Sequence, residues 1–115
     1  EDGRINWDEP AIKINNLIRG CMGWPGAFTY YKGRRLKIYK AKTLVESRDL
    51  NYGMPGQILK VDKEGIMVAT QEGNLIITEL QPEGKRKMKA EEFILGHRIT
   101  IGEKFDKNDC IKKII

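Results

Sequence analysis

The sequence predicts a mainly β fold: a small antiparallel β-barrel with one helix at its N-terminal end and a short helix near its C-terminal end. Three observations carry this expectation. Apolar residues recur at full helical spacing once, at Ala11, Ile14, Leu17 and Ile18. From Ala27 onward the chain is a succession of short β-branched and aromatic runs separated by glycine-containing turns. Its 115 residues fit one domain over positions 1–115. A chain that small buries roughly two-thirds of its unfolded surface, and closing a sheet on itself removes exposed edges.

The elements follow in order. Arg4-Ile5-Asn6-Trp7 reads as a short extended lead-in. Asp8 is a good N-cap and Pro10 suits a first helical turn, so a helix is expected from about residue 9 to residue 19. Gly20 offers a left-handed stop, and residues 20–26 form a loop. Ala27 to Tyr31 and Leu36 to Val45 flank the turn Lys32-Gly33 as two strands. Leu36 and Ile38 share a face, but Ala41 falls out of phase with them, which points to a β-bulge near Tyr39-Lys40. Residues 47–54 are polar and read as a surface loop. Gln57 to Val61 and Ile66 to Thr70 bracket Asp62-Lys63-Glu64-Gly65, a three-to-four-residue hairpin loop. After a second turn, Leu75 to Leu80 is a strand in which Leu75 and Ile77 oppose Ile76, Thr78 and Leu80. Pro82 and Gly84 end it. A short helix is expected from about Lys89 to Leu95, stopped by Gly96, and the tail from Ile99 onward is expected to pair as a last strand.

Composition narrows the function classes. Hydrophobic content of 40% is ordinary for a globular protein, and the net charge is +5. That charge suits a polyanionic partner or a membrane surface, or simply a soluble face. Cys21 and Cys110 form neither a CxxC motif nor a zinc spacing, so reduced thiols and a cytoplasmic location are expected. No apolar run approaches the roughly 20 residues of a membrane span, no signal peptide is visible, and a monomer that touches no membrane is expected. The opening Glu1-Asp2-Gly3, without an initiator Met, reads as a boundary within a longer polypeptide.

Groups for chemistry are sparse. His97 is a lone histidine without a dyad or metal partner at fixed spacing; it reads as structural or surface. The glycines form no phosphate-binding motif, and the carboxylates are scattered. No catalytic, metal or cofactor site is expected. The basic residues, by contrast, are clustered. Lys32, Arg34, Arg35, Lys37, Lys40 and Lys42 follow one another with no acid between them, and Arg35 and Lys37 face away from Leu36 and Ile38. Lys85, Arg86, Lys87 and Lys89 form a second cluster. Both are candidates for gripping phosphates, against two independently solvated faces. Trp7, Trp24 and Phe93 are expected in the core, while other aromatics could stack on unpaired bases.

Several stretches in this order resemble the C-terminal domain of methionyl-tRNA formyltransferase. They are Ile5-Asn6-Trp7, Leu17-Ile18-Arg19, Trp24-Pro25-Gly26-Ala27, Leu36-Lys37-Ile38-Tyr39-Lys40-Ala41, Pro55-Gly56 and Gly65-Ile66-Met67-Val68-Ala69-Thr70. The most specific is Leu80-Gln81-Pro82-Glu83-Gly84-Lys85-Arg86-Lys87-Met88, followed by Phe93 and Gly96-His97-Arg98. Where the family usually has Pro-Trp-Pro, this chain has Gly23-Trp24-Pro25. The resemblance implies an OB-like barrel that holds the initiator tRNA for translation initiation. It also implies a separate N-terminal catalytic domain that transfers a formyl group from 10-formyltetrahydrofolate and holds the catalytic residues, so none is carried over here. The alternative is an accessory domain of another formyltransferase-like enzyme, acting on a folate or nucleotide sugar, with no RNA binding.

Overall fold

A computed structural model describes residues 3–21, 26–44 and 53–106. The elements run α1 (Ala11–Gly20), β1 (Ala27–Tyr31), β2 (Arg34–Leu44), β3 (Ile58–Asp62), β4 (Gly65–Ala69), β5 (Asn74–Pro82), β6 (Met88–Lys89) and α2 (Ala90–Gly96). All strand pairs are antiparallel. The sheet order is β1-β2-β5-β4-β3, with β6 added to β5. The mainly β architecture with two helices is as the sequence predicts. The expected core position of Trp24 and the expected loop over residues 47–52 lie outside the described residues.

α1 begins later than its sequence suggests. Asp8 is not its N-cap; Pro10 is, in an extended conformation and without a side-chain cap. The backbone around residues 9–11 is committed elsewhere: the Gln71 N–H donates to Glu9 O and the Ala11 N–H donates to Glu72 O. The turn between β4 and β5 therefore satisfies a helix N-terminal donor that a side chain would otherwise cap. Gly20 remains helical, and Cys21 is the C-cap, its N–H bonding Leu17 O. Ala11, Ile14 and Ile18 form the buried face.

β1 and β2 join through Lys32-Gly33, both with positive φ, 53° and 81°. This is the backbone that a tight hairpin following the right-handed twist of its strands requires. The pairing of β2 with β5 shifts between Ile38 and Lys40 and again between Lys40 and Ala41, so the expected bulge is present. The same irregularity passes over Thr78. It brings Leu80 into one core cluster with Leu75 and Ile77, where strict alternation had set it opposite them. The β3–β4 hairpin is tighter than expected: Asp62 pairs with Gly65 across two residues. Gly65 has φ 146°, and a Cβ there would collide with the Ile77 carbonyl.

The tail forms no further strand among the described residues. One bridge joins Gln57 to Lys104. Segment 102–106 instead fills the seam between the two outer strands. On the β3 side, the Ile58 N–H donates to Glu103 O at 2.7 Å and the Phe105 N–H to Gly56 O at 2.8 Å. On the β1 side, the Asp106 N–H donates to Tyr30 O at 2.8 Å, and Asp106 Oδ1 accepts from the Tyr30 N–H and the Thr29 hydroxyl, each at 3.0 Å. Trp7 stacks on Phe105 at 5.6 Å and donates its indole N–H to Thr29 Oγ1 at 3.0 Å. Trp7 and Phe93 are buried, as expected.

Candidate nucleic-acid interface

β2 supplies the first cationic cluster. Its alternation buries Leu36 and Ile38 and leaves Arg34 exposed and Arg35 and Lys37 partly exposed. The second cluster follows β5, the neighbour of β2, so the two converge in space. Lys37 is paired across the ladder with Gln81. The Tyr39 hydroxyl donates to Gln81 Oε1 at 3.0 Å, and Gln81 Nε2 donates to the Lys85 carbonyl at 2.7 Å. The ammonium groups of Lys37 and Lys87 lie 4.8 and 4.9 Å from the Tyr39 ring centre. Tyr39 is thus the junction of two clusters more than forty positions apart in the chain.

The clusters are acid-free in sequence but not in space. Lys40 and Lys87 both reach Glu79, at 3.8 and 3.9 Å. Lys42 pairs with Glu64 at 3.7 Å and Lys32 with Glu103 at 3.4 Å. Arg86 pairs with Glu92. Among the described residues, Arg34, Arg35, Lys37, Lys85 and Lys89 have no carboxylate partner within ion-pair distance. Half of the candidate phosphate ligands therefore start from a locally neutralised position, and the other half do not. Neither Glu79 nor Glu103 stood out in the sequence, because each meets its lysine only through β-sheet register or through the seam.

A groove of about 350 Å³ opens at one end of this face. Tyr31, Leu36 and Phe93 line it, with Lys32, Arg34, Arg35 and Lys85 around them and His97 beside Phe93. The Arg35 guanidinium lies over the Phe28 ring at 4.3 Å. Among the described residues its buried Nε has no hydrogen-bond partner, while the Arg35 backbone N–H donates to Glu83 Oε1 at 3.2 Å. His97 is exposed, stacks on Phe93 at 4.1 Å with planes 25° apart, and places Nδ1 3.0 Å from Phe93 O. Among the described residues it has no acidic partner of the kind a general-base dyad uses.

The groove's far end is anchored electrostatically. Glu103 accepts from the Tyr31 hydroxyl at 2.6 Å and the Thr100 N–H at 2.9 Å. Partial burial works to raise the Glu103 carboxyl, but the Thr100 N–H, the Tyr31 hydroxyl and Lys32 together hold it below its ordinary value. Tyr31 is pushed up, first by burial and then by its bond to Glu103. No group of three or more His, Cys, Asp or Glu side chains among the described residues could hold a metal ion. No helix among them is long and apolar enough to cross a membrane.

Known proteins match this chain over most of its length. It is 45% identical to a methionyl-tRNA formyltransferase of Acetivibrio thermocellus over 101 residues, which is 88% of this chain and 32% of that one. It is 42% identical to that of Alkaliphilus metalliredigens over 107 residues, 93% of this chain and 33% of the relative. The chain thus spans about a third of the length of the relatives it matches. Among solved structures, HypX from Aquifex aeolicus superposes with a TM-score of 0.65 at 19% identity, over 87% of this chain and 18% of that one. A further HypX structure, in complex with tetrahydrofolic acid, has a TM-score of 0.62 at 18% identity, over 87% of this chain and 20% of that one. These likenesses concern the fold. The family model described as "Formyl transferase, C-terminal domain" matches residues 1–98, and the chain belongs to that family.

Proposed function

We propose that this chain is the tRNA-holding domain of a cytoplasmic methionyl-tRNA formyltransferase and takes no part in the chemistry of formyl transfer. The observation that carries the reading is the convergence of two cationic clusters at Tyr39, with Arg34, Arg35, Lys37, Lys85 and Lys89 unpaired among the described residues. Unpaired cations on a β-face attract phosphate without first displacing a carboxylate. The domain then recognises tRNA by its backbone and shape. Choice of the initiator rests with an N-terminal catalytic domain of the same polypeptide, which takes its formyl group from 10-formyltetrahydrofolate. The relatives' names and the roughly threefold greater length of those proteins support that division.

The test is a titration of the 115-residue chain against initiator and elongator tRNA at several salt concentrations. Comparable binding of both, falling steeply with salt, is the expected result. Binding of neither at low salt would overturn it. One observation favours a second reading, an accessory domain without RNA: five of the ten candidate cations are already neutralised within the domain.

A further inference from the structure

The groove beside the cationic face has a composition that phosphate gripping alone does not use. Its interior is largely apolar, built from Leu36, Tyr31 and Phe93. Its mouth carries Arg34 and Lys85, which are unpaired among the described residues, and among those residues the one carboxylate lining it, Glu83, is engaged by the Arg35 backbone N–H. Next to this, His97 extends the Phe93 ring into a two-ring stack and is itself exposed. A convex cationic surface would suffice for a helical phosphate backbone. A concave site with an apolar wall, a free ring face and unpaired cations suits a flat apolar group joined to an anion. At about 350 Å³ it falls at the small end of ligand pockets.

We propose that this groove holds one unpaired nucleotide of a bound RNA. The base stacks against His97, and the adjoining phosphate lies between Arg34 and Lys85. The proposal rests on the tRNA-binding reading and deepens it: the domain grips helical backbone along β2 and captures a looped-out or terminal nucleotide at the end of that face. Stacking needs only a π-face, so the site tolerates any base.

The test compares the 115-residue chain on a blunt RNA duplex and on the same duplex with one bulged 2-aminopurine, with free adenosine monophosphate as competitor. The expected result is tighter binding of the bulged duplex, roughly fivefold or more, with quenching of the 2-aminopurine. His97→Ala should bring the bulged duplex to the level of the blunt one, and His97→Phe, which keeps a ring, should restore the difference. Equal binding of both duplexes without quenching would overturn the groove proposal and leave the tRNA reading standing. Failure to bind either duplex or tRNA would overturn both. Saturation by adenosine monophosphate with no preference for the bulge would make it a free-nucleotide site and overturn the RNA assignment.

Discussion

Two triple substitutions separate net charge from local charge. Arg34→Ala, Lys37→Ala and Lys85→Ala remove three cations that have no acidic partner among the described residues. Lys40→Ala, Lys42→Ala and Lys87→Ala remove three that reach Glu79 or Glu64. Each set lowers the net charge by three, from +5 to +2, so a ligand that senses only overall charge cannot tell them apart. A phosphate contact that releases counterions contributes a log–log salt slope of roughly −0.7 to −0.9. At about 0.15 M salt, such a contact is worth close to fivefold relative to 1 M, and three are worth about 100-fold. The first triple should therefore weaken tRNA binding by up to about 100-fold and flatten the salt slope by about 2. The second should cost much less, because those lysines are already engaged by Glu79 and Glu64 and offer a phosphate little free positive field. Fluorescence anisotropy with labelled tRNA at several salt concentrations reads both quantities, and circular dichroism checks that each variant is folded. Equal losses from the two triples, or a larger loss from the second, would refute the argument that internal pairing decides which cations act.

Three predictions concern the frame that positions this face. Gly65→Ala places a methyl group against the Ile77 carbonyl at a φ that side chains rarely adopt; it should cost about 1–3 kcal/mol in urea unfolding, and a neutral result would mean the hairpin sits differently on β5. Thr29→Val strands the buried indole N–H of Trp7 and removes a donor to Asp106; the expected loss is about 1–3 kcal/mol, with an unchanged midpoint counting against the seam network. Glu103 is held below its ordinary value of 4.5, so its contribution is complete above that value and disappears as pH falls through the lower folded-state value. Glu103→Gln should therefore flatten the decline of Tm between about pH 5 and pH 3; an unaltered decline would show that the pairing with Tyr31, Thr100 and Lys32 is not what holds the seam.

The sequence was informative where local periodicity decides structure. The apolar stripe of α1, the Lys32-Gly33 hairpin and the bulge signalled by Ala41 could all be read before any coordinates, because each depends on residues only a few positions apart. The start of α1 could not, since its first donor, the Ala11 N–H, is satisfied by Glu72 rather than by Asp8. The phase of Leu80 was lost for a related reason: the irregularity that resets it belongs to the pairing with β2. For the interface, the two basic runs were plain, but their division into paired and unpaired cations was not. Glu79 lies between them in the chain and faces both only in the folded sheet. The contribution of the segment 102–106 was hidden likewise, because it fills a seam instead of forming a strand with alternating pattern.

Electrostatic grip of the tRNA backbone by this face is tested by the salt dependence of tRNA affinity for the 115-residue chain. A linear fall of log affinity with log salt, with a slope of roughly −3 or steeper for about four or five phosphate contacts and similar for initiator and elongator tRNA, is the predicted result. An affinity that is indifferent to salt, or no binding at low salt, would contradict it.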